Sequence, residues 1–80
     1  MKNMNKIIQE IISKRDPFGY YVILAANNVE VKFILEKFKY KGLILDEIGS
    51  LLIIRCKSRR IAEKLIRLLA LKNLLVFQNP

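Results

Sequence analysis

Leu43-Ile44-Leu45-Asp46-Glu47-Ile48-Gly49-Ser50-Leu51-Leu52-Ile53-Ile54-Arg55-Cys56 is the stretch on which the fold turns. Two apolar runs, each too short for a helix, flank a Gly-Ser pair. The spacing predicts two strands, Leu43 to Ile48 and Leu51 to Cys56, joined by a tight hairpin turn at Gly49-Ser50. The second run holds four consecutive aliphatics, Leu51 to Ile54. A strand with one wet face alternates, so this one is expected to be covered on both faces, by the N-terminal helix in part and by a second subunit in addition.

On the N-terminal side, Tyr20 to Ala26 is rich in β-formers and reads as a first strand. Asn27 or Asn28 can cap the helix that follows, since a side-chain oxygen accepts from the free amides of a first turn. Val31, Ile34, Leu35 and Phe38 make its inward stripe, and Gly42 suits a left-handed terminus. Further upstream, Met4, Ile7, Ile8, Ile11 and Ile12 recur at helical spacing before the turn signal Asp16-Pro17-Phe18-Gly19. On the C-terminal side, Ser58 caps a helix with Ile61, Ala62, Leu65, Leu68 and Leu69 on its inner face; Asn73 ends it, and Leu74 to Phe77 reads as a short fourth strand.

The expected order is one domain over residues 1–80: an N-terminal helix over 1–15, then a βαββαβ core over 20–78. That plan is α+β and ferredoxin-like, with a four-stranded antiparallel sheet and two helices on one face. Right-handed crossovers make the first two strands parallel, with the third between them. In element order residues 20–78 resemble the RNA-recognition motif, which stacks bases on aromatics of its central strands. Leu51-Leu52-Ile53-Ile54-Arg55-Cys56 carries no such aromatic, and Tyr20 and Tyr21 are the only partial match. Residues 20–73, with the run Leu51-Leu52-Ile53-Ile54-Arg55, are also similar in layout to the small dimerising subunit of the archaeal KEOPS tRNA-modification complex. That resemblance implies a non-catalytic subunit of a larger, RNA-associated assembly; the basic excess and the N-terminal helix depart from it.

Composition narrows the chemistry. The chain has no histidine and a single cysteine, Cys56, so it holds no internal disulfide and no zinc spacing. Asp46-Glu47 is the only adjacent carboxylate pair, and neighbours on a strand point to opposite faces, which suits neither a metal nor an acid–base dyad. Gly19, Gly42 and Gly49 stand singly, so no glycine-rich phosphate loop is present. No enzyme, cofactor, metal or small-molecule substrate is expected. No apolar run reaches the ~20 residues that span a bilayer, and residues 1–12 lack the apolar core of a signal peptide, so a cytoplasmic location and no membrane partner are expected. Abundant Ile, Lys and Asn without any threonine is the composition of an AT-rich genome, as in thermophilic archaea and their viruses.

Charge supplies the functional signal. Fifteen Lys and Arg against seven Asp and Glu leave a formal +8, which favours a polyanionic partner. Four of the six residues from Arg55 to Arg60 are basic. On the expected topology Lys14, Arg15, Lys37, Lys39, Lys41, Arg55, Lys57, Arg59 and Arg60 share one pole, and Lys64 and Arg67 continue it along the last helix. Arg59 and Arg60 oppose the dipole of that helix, which suggests an external anion, while Glu63 is expected to face Arg67. The reading is a small basic protein that contacts the phosphate backbone of DNA or structured RNA. The missing strand aromatics disfavour single strands. The alternative is a dimerising, non-catalytic subunit of a larger complex.

Overall fold

The computed structural model describes residues 4–38 and 42–76. Its elements are α1 (Met4–Ile12), β1 (Tyr21–Ala26), α2 (Val29–Glu36), β2 (Ile44–Ile48), β3 (Leu51–Cys56) and α3 (Arg59–Leu71). Short-range chemistry sets their ends. The Asn28 side chain accepts from the amide of Val31 and opens α2, and that of Ser58 accepts from the amide of Ile61 and opens α3. Asn73, at φ 58°, closes α3: its N–H donates to Ala70 O at 3.1 Å, and that of Leu74 donates to Leu69 O at 2.8 Å. This pair of bonds is a Schellman cap, with buried Leu74 closing over buried Leu69. The hairpin turns at Gly49, with φ 59°, and Asn27 clamps it: its backbone N–H donates to Ser50 O and its side-chain amide to Gly49 O, both at 2.9 Å.

The sheet corrects the expected architecture. It has three strands in the order β1-β3-β2, with both pairs antiparallel, and three helices accompany it rather than two helices on a four-stranded ferredoxin-like sheet. The segment read as a fourth strand does return beside β1. Ala26 N–H donates to Leu74 O at 3.0 Å, Val76 N–H donates to Leu24 O at 2.9 Å, and Leu75 forms a single bridge with Ala25. Leu74 spends its N–H on the cap of α3 and only its carbonyl on β1, so the described pairing stops at a single bridge; Phe77 lies outside the described residues.

Register sorts the side chains onto two faces. Tyr21, Ile23 and Ala25 of β1 stand opposite Cys56, Ile54 and Leu52 of β3, and all six are buried on the face that meets the helices. On that side α3 contributes Ala62, Leu65, Ile66 and Leu69, and α2 contributes Val31, Ile34 and Leu35. The buried face of α3 is wider than the sheet alone can cover. α1 closes the remainder, lying against α3 and β1 with Ile8 and Ile12 in the common core. The helix therefore does not lie over the outer face of the sheet.

That outer face carries Val22, Leu24 and Ala26 of β1, Leu51, Ile53 and Arg55 of β3, and Ile44, Asp46 and Ile48 of β2. Its β1 and β3 residues are half-buried, and Ile44 and Ile48 are exposed. No described element packs over it. Every residue of β2, the edge strand, is exposed.

Candidate nucleic-acid interface

β1 begins, and β3 ends, at the same end of the domain, because Tyr21 pairs with Cys56. β2 begins there as well, with Ile44 opposite Arg55, and α3 starts three residues after β3. The topology thus gathers Lys14, Arg15, Arg55, Lys57, Arg59 and Arg60 at one pole. Lys37 follows the last turn of α2; Lys39 and Lys41 lie outside the described residues.

These cations fall into three groups by what they touch. Arg55 is neutralised. It pairs with Asp46 across the β2–β3 ladder, and its Nε lies 3.6 Å from Asp16 Oδ2. Arg59 is answered within its own helix, with Nε 3.2 Å from Glu63 Oε1. Glu63 therefore serves Arg59 rather than Arg67, and the strain of Arg59 against the helix dipole is relieved.

A second group sits on aromatic rings. The Arg15 guanidinium lies 4.7 Å from the centroid of Tyr21, and its Nη2 donates to the Tyr21 hydroxyl at 2.5 Å. The Lys57 ammonium lies 4.9 Å from the centroid of Tyr20, and that of Lys37 lies 5.8 Å from Phe33. A ring quadrupole attracts a cation without cancelling its charge, so these three stay available to an anion.

The third group has no carboxylate partner among the described residues: Lys14, Arg60, Lys64 and Arg67. Arg60, Lys64 and Arg67 follow one another at i, i+4 and i+7, all exposed, diametrically opposite the buried face of α3. They form a stripe about 10.5 Å long that starts at the pole. Like charges at such spacings repel by a few tenths of a kcal/mol per pair, and Arg60 also opposes the helix dipole.

The loop between α1 and β1 is built on Asp16. Its Oδ1 accepts from the amides of Phe18 at 2.9 Å and Tyr20 at 2.8 Å. Asp16 N–H donates to Tyr20 O at 2.8 Å, Gly19 N–H donates to Asp16 O at 3.0 Å, and a bridge between Arg15 and Tyr21 shuts the base of the loop. Gly19, at φ 87°, takes the left-handed turn that this loop needs. Phe18 stands 79% exposed at its tip. Sequence reading passed over Phe18 as a turn residue, although a basic pair before the turn, Lys14-Arg15, and an aromatic pair after it, Tyr20-Tyr21, were a usable signal.

Elsewhere the chemistry is sparse. Cys56 is fully buried, its thiol donates to Ser58 O at 3.3 Å, and desolvation pushes its pKa up, so it is held as a thiol. Asp46 and Glu47 point to opposite faces, as strand alternation requires: Asp46 meets Arg55, and Glu47 meets Lys32 of α2 at 2.8 Å. Hydrogen bonds from Lys32 and then Asn27, with the Lys32 charge, hold the Glu47 carboxyl below its ordinary pKa. A half-open groove of about 350 Å³ lies beside this pair, floored by Leu35, Leu43, Leu45 and Leu52. Among the described residues no group of His, Cys, Asp and Glu could hold a metal ion, and no helix is long and apolar enough to cross a membrane. The chain matches no protein-family model, no curated protein and no solved structure.

Proposed function

We propose that this chain is a small, non-catalytic, cytoplasmic nucleic-acid-binding protein that grips the phosphate backbone of DNA or structured RNA. The observation that carries this reading is the Arg60–Lys64–Arg67 stripe, which leaves like charges in a row on one helix face and unanswered by any described carboxylate. A row of phosphates supplies the missing counter-charge, and the ring-seated cations Arg15 and Lys57 extend the same field around the pole. Arg55 and Arg59 are structural in this scheme. A salt titration of binding to duplex DNA, single-stranded DNA and a folded RNA tests it: affinity falls linearly in log–log coordinates with a slope that counts phosphates. Absence of binding to all three at low salt refutes it.

A second reading, a dimerising module within a larger assembly, is favoured by a different observation: the apolar outer face of the sheet, with Ile48 61% exposed on β2. Faces of this kind mark interaction surfaces when they are contiguous. Sedimentation equilibrium decides, since a monomer at high concentration excludes self-association through that face.

A further inference from the structure

Phe18 is an aromatic ring held out into solvent by a rigid loop, with cations on both flanks. Two amides bonded to one carboxylate, two backbone bonds and the Arg15–Tyr21 bridge fix the loop, so its conformation is set before any ligand arrives. The loop's own negative charge is taken up: Asp16 is only 15% exposed at its side chain and spends its oxygens on those amides and on Arg55. What remains facing outward is Phe18, the half-buried ring of Tyr20 carrying Lys57, and Arg15 on Tyr21. Rings interleaved with unneutralised cations are the combination that holds a base by its π-face and its phosphate by charge. A base inside an intact duplex presents no free face to a loop tip, so the ligand for this feature is an unpaired nucleotide, in a single strand or in the loop of a folded RNA.

We infer that Phe18 stacks on an unpaired base of the bound nucleic acid, with Arg15 and Lys57 taking the flanking phosphates. This rests on the phosphate-binding reading above and narrows it: ligands with unpaired nucleotides bind in preference to uninterrupted duplex. Lys57 precedes Arg60 by three residues, so one strand running along the α3 stripe and over the pole reaches the Phe18 loop.

The test uses the full chain and two fluorescein-labelled probes, a 20-nucleotide oligo(dT) and a 20-base-pair duplex, measured by anisotropy at several salt concentrations. Phe18→Ala weakens oligo(dT) binding about tenfold, the order supplied by one base–aromatic stack, and leaves duplex binding unchanged. Its salt slope stays that of the parent because no charge is removed, and Phe18→Trp restores the affinity. The urea midpoint of Phe18→Ala also matches the parent, because the ring is exposed; this separates lost stacking from lost fold. Parental oligo(dT) affinity in Phe18→Ala, with binding still weakened when Arg60, Lys64 and Arg67 are neutralised, overturns the stacking and leaves the phosphate grip standing. Absence of binding to both probes overturns the stacking on this strand, and absence of binding to a folded RNA as well overturns the phosphate grip.

Discussion

Neutralising the α3 stripe, as Arg60→Gln, Lys64→Gln and Arg67→Gln together, separates an anion-binding surface from an ordinary solvated face. Each cation that contacts a phosphate releases about 0.9 counterion on duplex DNA, or about 0.7 on a single strand. Three contacts therefore lower the slope of log K against log salt by roughly 2.7 or 2.1 units. Over the decade from 1 M to 0.1 M salt, that slope difference becomes roughly a 100- to 500-fold loss of affinity at the lower concentration. The same substitutions do not harm the fold. They relieve the i,i+4 repulsion of Arg60 with Lys64 and the i,i+3 repulsion of Lys64 with Arg67, about 0.2–0.5 kcal/mol each. They also remove Arg60 from the positive end of the helix, a gain of about 0.3 kcal/mol or more. Urea unfolding of the triple variant should thus match or slightly exceed the parent, while fluorescence anisotropy against salt shows the flatter line. Arg55→Gln is the control with the opposite signature, because Arg55 is already neutralised by Asp46 and Asp16: it lowers stability and barely moves the slope. A triple variant with the parental slope would refute the assignment of the stripe to phosphate binding.

Asp16→Ala removes a charged acceptor from two amides and one partner from Arg55, and should cost about 1.5–3 kcal/mol in urea unfolding; Asp16→Asn, which keeps an acceptor oxygen, should cost less. A loss below about 0.5 kcal/mol for the alanine variant would show that the loop does not depend on this carboxylate. Cys56 should react with a thiol reagent only as the protein unfolds, and Cys56→Ala should leave nucleic-acid binding unchanged at a cavity cost of about 1 kcal/mol or more. Because burial raises the folded pKa of this thiol, its contribution is complete below the unfolded pKa and lost as pH rises through the folded one, so the alanine variant should lose less stability than the parent in alkali. Glu47 has the opposite sign: its lowered pKa means a contribution present above the unfolded value and lost as pH falls through the folded one. Glu47→Gln should therefore show a shallower acid-side decline than the parent; identical pH curves would sink the proposed role of the Lys32–Glu47 pair.

Features decided by a few neighbouring residues were legible in the sequence. Asn28, Ser58 and Asn73 act within one turn of their own positions, and the Gly49-Ser50 hairpin needs only its two flanking runs. The alternation that parts Asp46 from Glu47 is equally local. Choices among equivalent partners were not. Glu63 stands four residues from both Arg59 and Arg67, and pattern alone gives no reason for its side chain to reach toward the helix start. Asp46 meets Arg55 only because the β2–β3 register sets them diagonally on the outer face. The inner face of α3 was read without Ile66, which is fully buried, and with Ile61 and Leu68, which are half-buried at its margins. That shift of the stripe makes room for α1 against α3, so α1 leaves the outer face bare. The fourth strand was overread because Leu74 to Phe77 has strand composition, whereas the Schellman cap takes the Leu74 N–H and the described residues pair with β1 through one isolated bridge.

The two edges of the sheet are protected unequally. β1 is shielded by the return of Leu74 to Val76, while β2 is open along its length, with Ile44, Leu45 and Ile48 exposed. Asp46 and Glu47 supply the only charges on that strand, and an edge of this kind is kept from joining another copy by such gatekeepers. Acid strong enough to protonate Glu47 removes one of the two and releases Lys32 from its β2 partner. The open edge then shows Ile44, Leu45 and Ile48 with one gatekeeper fewer, which makes acid handling at high concentration the condition most apt to draw this folded chain into cross-strand fibres.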